Sequence, residues 1–308
     1  MFLVTGGAGF IGSHLVTALL ARNERVRVLD NFSTGSRSRL EGIRSRIEVI
    51  EGDIRDAGVC RRALSGVRIV FHQAALPSVT RSWEDPISTN EVNVGGTLNL
   101  LEAAKRERIE RFVFASSSSV YGDTPTLPKV ETMLPHPRSP YAVSKLAGES
   151  YCRAFALNGD VPAVALRYFN VYGPGQDPNS QYAAVIPRVV TALLGGQPPT
   201  VYGDGEQSRD FTYVADCIAA NLLAAVAPEA AGDVFNVACG ARTSVNALVE
   251  QVGGLLGQRL TSRHAPARAG DVRHSLADIT HAAQKLSYAP KYDFAAGLKE
   301  TVQWYRTR

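Results

Sequence analysis

At 308 residues the chain has room for one large domain or two modest ones with complete cores. An apolar content of 45% and a charged content of 20% are those of an ordinary globular protein, and a formal charge of +4 falls far short of a nucleic-acid-binding surface. Apolar runs too short for a bilayer, four scattered cysteines without CxxC spacing and six histidines without an HExxH pattern argue against a membrane span, a disulfide framework and a metal centre.

Phe2-Leu3-Val4-Thr5 reads as a first strand, so no targeting segment is expected ahead of it, and free thiols fit a cytoplasmic setting. Gly6-Gly7-Ala8-Gly9-Phe10-Ile11-Gly12 follows at once and opens a helix predicted over residues 13–21. Gly6, Gly9 and Gly12 then permit a tight turn, close approach of a pyrophosphate and close packing of helix on sheet. A second strand, Val26-Arg27-Val28-Leu29, ends on Asp30, where a carboxylate accepts ribose hydroxyls and repels a 2'-phosphate. NAD is therefore expected in preference to NADP; the competing reading is a bare structural glycine turn.

Residues 37–46 carry four arginines, read as the solvated face of a loop and short helix. The third strand is Ile47-Glu48-Val49-Ile50, with Asp53 and Ile54 beyond its end placed to touch the adenine. Residues 67–71 make the fourth. Its exit, His72-Gln73-Ala74-Ala75, is mostly small, as backbone pressed against a dinucleotide must be; His72 is assigned to strand-end packing and not to base catalysis. A helix is predicted over 93–106, a fifth strand over 111–114, and the run Ser116-Ser117-Ser118-Ser119 at its carboxyl end, where open parallel sheets place ligands.

Ser139-Pro140 is a helix start, because Ser accepts an orphan backbone proton and Pro has none to lose. The helix, predicted over 141–157, puts Tyr141 and Lys145 on one face. A phenol of pKa about 10 needs roughly 4 kcal/mol of preference for its anion to work as a base near neutrality. Lys145, the helix N-terminus and a cationic nicotinamide are the expected sources, with a serine of the run hydrogen-bonding the reacting oxygen. Taken alone, such a Tyr/Lys pair also arises by chance.

A sixth strand over 163–167 ends at Tyr168-Phe169-Asn170, and Gly173-Pro174-Gly175 marks a boundary. The fold expected is α/β, a Rossmann-type doubly wound parallel sheet over residues 1–172 with a smaller substrate-binding domain over 173–308. That domain holds a helix near 183–194 and a strand near 200–203, and segments near 211–239 return to the main sheet. There is no internal repeat or low-complexity tract. The 93–106 and 141–157 helices, on one side of the sheet, could pair with those of a second copy in a four-helix homodimer; the alternative is that their apolar stripes face the sheet.

Thr5-Gly6-x-x-Gly9-x-x-Gly12, Asp30, the Ser run, Tyr141-x-x-x-Lys145 and Arg167-Tyr168-Phe169-Asn170 together resemble the extended short-chain dehydrogenase/reductases, and within them the UDP-hexose 4-epimerases. Residues 182–187, Gly203-Asp204-Gly205-x-x-x-Arg209-Asp210-Phe211 and residues 268–278 carry the more specific part of that likeness. The resemblance implies 4-epimerisation of UDP-glucose and UDP-galactose, and of their N-acetylated counterparts, with NAD retained as a catalyst. It implies that Ser117, Tyr141 and Lys145 do the chemistry. It implies cofactor contacts from Phe10, Ile11, Asn31, Ser33, Thr34, Gly35, Gln73, Ala74, Ala75, Asn93, Ser116 and Phe169. The UDP-sugar would be held by Ser78, Ser118, Asn170, Ala184, Arg209, Arg268 and Asp271, with Val185 and Tyr202 near the uracil; the Arg pair also suits a diphosphate, which planar forked donors hold best.

By the same likeness, Ser275 stands where a bulky Tyr restricts relatives to plain hexoses, so room for an N-acetyl group is expected. Ser118 and Ser119 stand where dehydratases and decarboxylases need an acid. The alternatives are a UDP-glucuronate 4-epimerase, which wants a cation near sugar C6, and a catalytically silent NAD-binding scaffold.

Overall fold

A computed structural model describes residues 1–178, 184–258, 261–266 and 272–307. Seven strands form one parallel sheet: β1 (Phe2–Thr5), β2 (Val26–Asp30), β3 (Ile47–Glu51), β4 (Ile69–His72), β5 (Arg111–Ser117), β6 (Ala163–Tyr168) and β7 (Val234–Val237). Their spatial order is β7-β6-β5-β4-β1-β2-β3, so the crevice opens between β1 and β4, where the order of winding reverses.

Alternation along the strands builds two cores. Phe2, Val4, Val113, Val164 and Leu166 face one side, where α1 (Phe10–Ala21) and α6 (Val214–Val226) pack. Leu3, Phe112, Phe114, Ala163 and Ala165 face the other, against α2 (Ala57–Leu64), α3 (Gly96–Glu107) and α4 (Pro140–Leu157). Toward the C-terminus lie α5 (Val185–Leu194), α7 (Val245–Leu256) and α8 (Phe294–Arg306), with a shorter helix at Thr280–Leu286. Among the described residues no helix is long and apolar enough to cross a membrane.

Several boundaries move from those expected, each for a local reason. The first helix starts at Phe10, three residues early, because Gly9 is extended and Ser13 N already bonds Gly9 O. The fourth strand starts at Ile69, since Val67 N closes the turn after α2 onto Leu64 O. The fifth runs on to Ser117 because β6 offers partners for Ser116 and Ser117 at Arg167 and Tyr168. The helix expected from residue 93 is preceded by a π-helical turn over Glu91–Gly95, where Thr97 Oγ1 donates to Asn93 O at 2.6 Å. Of the segments expected to return to the sheet, residues 234–237 enter it as β7, whereas α6 covers its face and Thr212–Tyr213 pairs with Val171–Tyr172 outside it.

Candidate active site

The carboxyl ends of the strands border a cavity of ≈ 970 Å³. At one end Gly6 has φ +68°, and a Cβ there would lie 2.7 Å from Ala74 N; a Cβ on Gly12 would lie 2.1 Å from Gly6 O. Neither position admits a side chain, so β1, the turn and the loop after β4 close to backbone-on-backbone distance. Gly9 caps α1 without a side-chain acceptor, which leaves the N–H groups of the first turn aimed into the cavity.

Asp30 accepts from Ala8 N at 2.9 Å and Phe32 N at 2.8 Å, so its carboxylate is fixed at the end of β2 beside that turn. Phe10, Ile11, Asn31, Ser33, Thr34, Gly35, Asp53, Ile54, Gln73, Ala74 and Ala75 all border the same cavity. Asn31 Nδ2 donates to Asp53 Oδ2 at 2.9 Å, and the Arg55 guanidinium holds the Asp53 carboxyl down at about 2. The expectation of a wholly solvated arginine stretch fails at Arg39. That side chain is half-buried on the cavity wall, with Nη1 on Ala8 O at 3.3 Å and Nη2 on Gly175 O at 2.7 Å, and it ties the glycine turn to the 173–178 segment.

Midway along the cavity, β5 brings Ser117 and a 3₁₀ turn, Ser118–Tyr121, to the wall. Opposite it, Ser139 Oγ accepts from Ala142 N at 3.1 Å with Pro140 in the first helical position, so α4 starts where expected. Tyr141 is within hydrogen-bonding reach of Ser117. Lys145 Nζ donates to Ala115 O at 2.7 Å and lies 5.9 Å from the Tyr141 ring centroid. Burial pushes Lys145 down to about 8, and Glu149 opposes that fall.

The Tyr141 phenol moves the other way from the expectation: burial raises it, and the Ser117 hydroxyl lowers it by less. Lys145, its ammonium turned to the Ala115 carbonyl, does not reverse this in the protein alone. His72 is a buried strand-end group, with Nδ1 2.8 Å from Thr5 Oγ1 and Nε2 2.9 Å from Thr97 Oγ1; burial holds it at about 3, so it is neutral.

Two expected cofactor contacts present no side chain to the cavity. Asn93 is buried and absent from the wall: Oδ1 accepts from Leu76 N at 2.8 Å, while Nδ2 donates to Leu76 O at 3.2 Å and Ser144 Oγ at 3.0 Å. It clamps the loop after β4 onto α4. Ser116, although it borders the cavity, turns its hydroxyl to the buried Glu149 carboxylate. Phe169, also buried, does border the cavity.

At the far end, Ser78, Ser118, Asn170, Ala184, Arg209 and Ser275 line the large cavity. Asn170, Ala184 and Arg209 are shared with a second one of ≈ 580 Å³, which Val185 and Tyr202 also line. Asn170 Nδ2 donates to Asp210 O at 3.0 Å and Ser275 Oγ at 3.2 Å. Arg209 Nη1 donates to Ser208 O at 3.0 Å and Arg273 O at 3.1 Å. Behind it the Asp210 carboxylate takes Cys239 N, Gly240 N and Ala277 N at 2.9, 3.1 and 3.2 Å, while burial raises it to about 6. Residues 268–271, with Arg268 and Asp271 among them, and Tyr182 and Ala183 lie outside the described residues.

Sequence reasoning missed the buried Asn221, which joins the cavity-lining Gln73 and Tyr168 through hydrogen bonds of 2.9–3.1 Å, as well as Lys129 and Arg188 on the walls. No local pattern marks them. The arrangement as a whole is one cleft whose wall carries a helix N-terminus, a Ser/Tyr/Lys group and an arginine.

A family model described as the NAD dependent epimerase/dehydratase family matches residues 2–238. A UDP-glucose 4-epimerase of Mycolicibacterium smegmatis is 38% identical, over 99% of this chain and 98% of its own. Among solved structures, a UDP-N-acetylglucosamine 4-epimerase from Methanobrevibacter ruminantium M1 in complex with UDP-N-acetylmuramic acid is 42% identical with a TM-score of 0.95, covering 99% of this chain and 98% of that one. A UDP-glucuronic acid 4-epimerase from Bacillus cereus, in complex with UDP-glucuronic acid and NAD, is 34% identical with a TM-score of 0.91, covering 99% of each chain.

Proposed function

The chain belongs to the NAD-dependent epimerase/dehydratase family, and from that membership and the geometry of the cleft we propose that it inverts carbon 4 of UDP-hexoses. The observation that carries the reading is the joint placement of Ser117, Tyr141 and Lys145 on the wall of one cavity that the pyrophosphate cradle and Arg209 also line. The cradle fits NAD: Gly6 and Gly12 admit no Cβ, the first turn of α1 is open, and Asp30 stands at the end of β2 for the adenosine ribose. When bound, NAD supplies a reversible acceptor for the hydrogen on sugar carbon 4.

Tyr141 takes the proton of the 4-hydroxyl and later returns it, and Ser117 hydrogen-bonds the same oxygen. Lys145 holds the nicotinamide ribose and favours the phenolate. Burial raises the phenol in the protein alone, and a bound oxidised nicotinamide would add a positive charge that favours the phenolate. Arg209 and Asn170 anchor the UDP while the 4-keto sugar turns to present its other face. Ser118 and Ser119 give the site no acid with which to expel water, which supports epimerisation over dehydration.

Ser275, small and on the cavity wall, supports acceptance of N-acetylated as well as plain hexoses. Residues 173–308, apart from the segments returning to the sheet, are assigned to holding the UDP-sugar. Four free cysteines, three of them buried, fit a reducing cytoplasm. Exposed Trp83, Ile87, Val143 and Leu157 on α4 and the two short helices packed against it, Val79–Glu84 and Pro86–Asn90, support a homodimer through that face.

UDP-glucuronate is the second reading. It is favoured by the likeness to the Bacillus cereus enzyme and by Lys129, a buried cation on the cleft wall. Incubation of the purified protein with each UDP-sugar in turn, without added cofactor, followed by separation of the 4-epimers, tests both. Conversion of UDP-glucose to UDP-galactose and of UDP-N-acetylglucosamine to UDP-N-acetylgalactosamine is expected; conversion of UDP-glucuronate alone would select the second reading, and bound NAD with no conversion would leave a silent scaffold.

A further inference from the structure

Behind the reacting residues lies a buried ionic cluster that the steps above do not use. Glu149, on α4, is 4% exposed, and Ser116 Oγ donates to its Oε1. Arg167, reaching across from β6, forks onto the same carboxylate through Nε at 2.9 Å and Nη2 at 2.8 Å. The Arg167 guanidinium lies 4.6 Å from the centroid of the Tyr121 ring, and the Tyr121 hydroxyl donates to Asn236 Oδ1 on β7 at 2.7 Å. Helix α4, strands β5 to β7 and the serine turn are thereby joined at one point. Two of the joined positions adjoin the chemistry, since Ser116 precedes Ser117 in β5 and Glu149 follows Lys145 by one turn on the same helix face.

A buried ion pair is a weak way to stabilise a core, because well-packed apolar side chains of equal volume often do as well or better. What apolar side chains cannot supply is a fixed negative charge beside Lys145. The ionisable groups facing that ammonium are Glu149 and Cys152 from its own helix, Tyr141 one turn earlier, and His72 from β4. Burial keeps His72 neutral and drives the Cys152 thiol and Tyr141 phenol upward, and of this set Glu149, ion-paired with Arg167 at 2.8 Å, exerts the largest pull on the ammonium. The rest of the lining is the Phe114 ring, 5.1 Å from Nζ, and the Ala115 carbonyl.

We propose that Glu149 is a positioning residue whose carboxylate, pinned by Ser116 and Arg167, holds Lys145 as a cation in its buried setting and fixes the end of β5 on which Ser117 stands. The role in turnover rests on the epimerase reading, but the charge on Lys145 can be read without it. The chain has six lysines, so ¹³C labelling at lysine Cε resolves each titration by NMR in the full chain saturated with NAD. In Glu149→Gln the Lys145 transition moves down by about one pH unit, the direction expected when a nearby opposite charge is removed.

Arg167→Gln breaks the same ion pair but keeps the carboxylate. It leaves the transition in place or raises it, although both variants lose thermal stability. Should Glu149→Gln not fold, the double variant Glu149→Gln/Arg167→Gln puts an amide pair in place of the ions and shows the same downward shift. A Lys145 transition unmoved in the folded Glu149→Gln variant, or moved down equally by Arg167→Gln, overturns the proposal and leaves the cluster purely structural. The alkaline limb of kcat on UDP-hexoses falls with the transition. A shifted Lys145 in a protein whose unmutated form turns over no UDP-hexose would instead sink the reaction and leave this inference standing.

Discussion

Tyr141 carries the hydroxyl on which the reaction turns, and its phenol is buried against Ser117 without needing ionisation to fold. Tyr141→Phe therefore keeps the melting temperature within a degree or two of the parent and lowers kcat by about 10²- to 10⁴-fold; near-native turnover would remove Tyr141 from the mechanism. Lys145 shows the converse, a residue that costs stability where it serves chemistry. Its ammonium is buried, and its pKa falls from 10.5 to about 8. Between those values the unfolded chain holds a proton that the folded chain has released, so stability rises with pH across that window. Lys145→Met is accordingly expected to stabilise the protein by roughly 1 to 3 kcal/mol at pH 7 while suppressing turnover. The gain shrinks as pH climbs from about 8 toward 10.5; urea melts at a series of pH values check it, and a constant gain would contradict the assigned cause. Ser275 accepts from Asn170 Nδ2 and from Asp210 N on the cavity wall. Ser275→Tyr fills that space and is expected to lower turnover of UDP-N-acetylglucosamine severalfold more than that of UDP-glucose, as paired rate measurements would show.

Among the elements, α4 bears the most function per residue, and its start was readable because capping is local: Ser139 and Pro140 act on groups within three residues of themselves. Loss of that cap by Ser139→Ala is expected to cost about 1 kcal/mol. Calorimetry should show a melting temperature lower by about 2 °C. Turnover drops with it, since Tyr141 sits in the turn that frays; an unchanged melt would mean that Pro140 suffices to start the helix. The glycine turn and the strand ends were legible for the same reason. What the sequence did not show are contacts between distant segments. Asn93 looks like a polar residue free to meet a cofactor, yet Leu76 and Ser144 take its amide. Ser116 and Ser117 are indistinguishable in the run, and only α4 and β6 decide that one meets Glu149 while the other meets Tyr141. Arg39 was hidden among three arginines of no such role because its partners, Ala8 and Gly175, come from other segments.

For the whole molecule, the open question is how many copies act together. Trp83 and Ile87 are 65% and 72% exposed beside α4, large apolar side chains left open to solvent in a single copy. The double variant Trp83→Glu/Ile87→Glu is expected to sediment as a single chain where the parent sediments as a pair; a parent that is monomeric at micromolar concentration rules the dimer out. The sheet order was foreseeable up to β6, because each strand there is followed by its own crossover. The last place was harder to foresee. Strand β7 adds beside β6 from far down the chain, after a long excursion that builds Arg209 and the second cavity. This has a bearing on synthesis. When a nascent chain has left the ribosome only as far as Asn170, it holds the glycine turn, Asp30, Ser117 and Tyr141, but the outer backbone of β6 has no neighbour. At about 5–20 residues per second that edge stays uncovered for several seconds before Val234–Val237 emerges. Translational pauses in this interval lengthen the period in which two incomplete chains can zip together along β6, so slowly read synonymous codons there are expected to lower the yield of native enzyme.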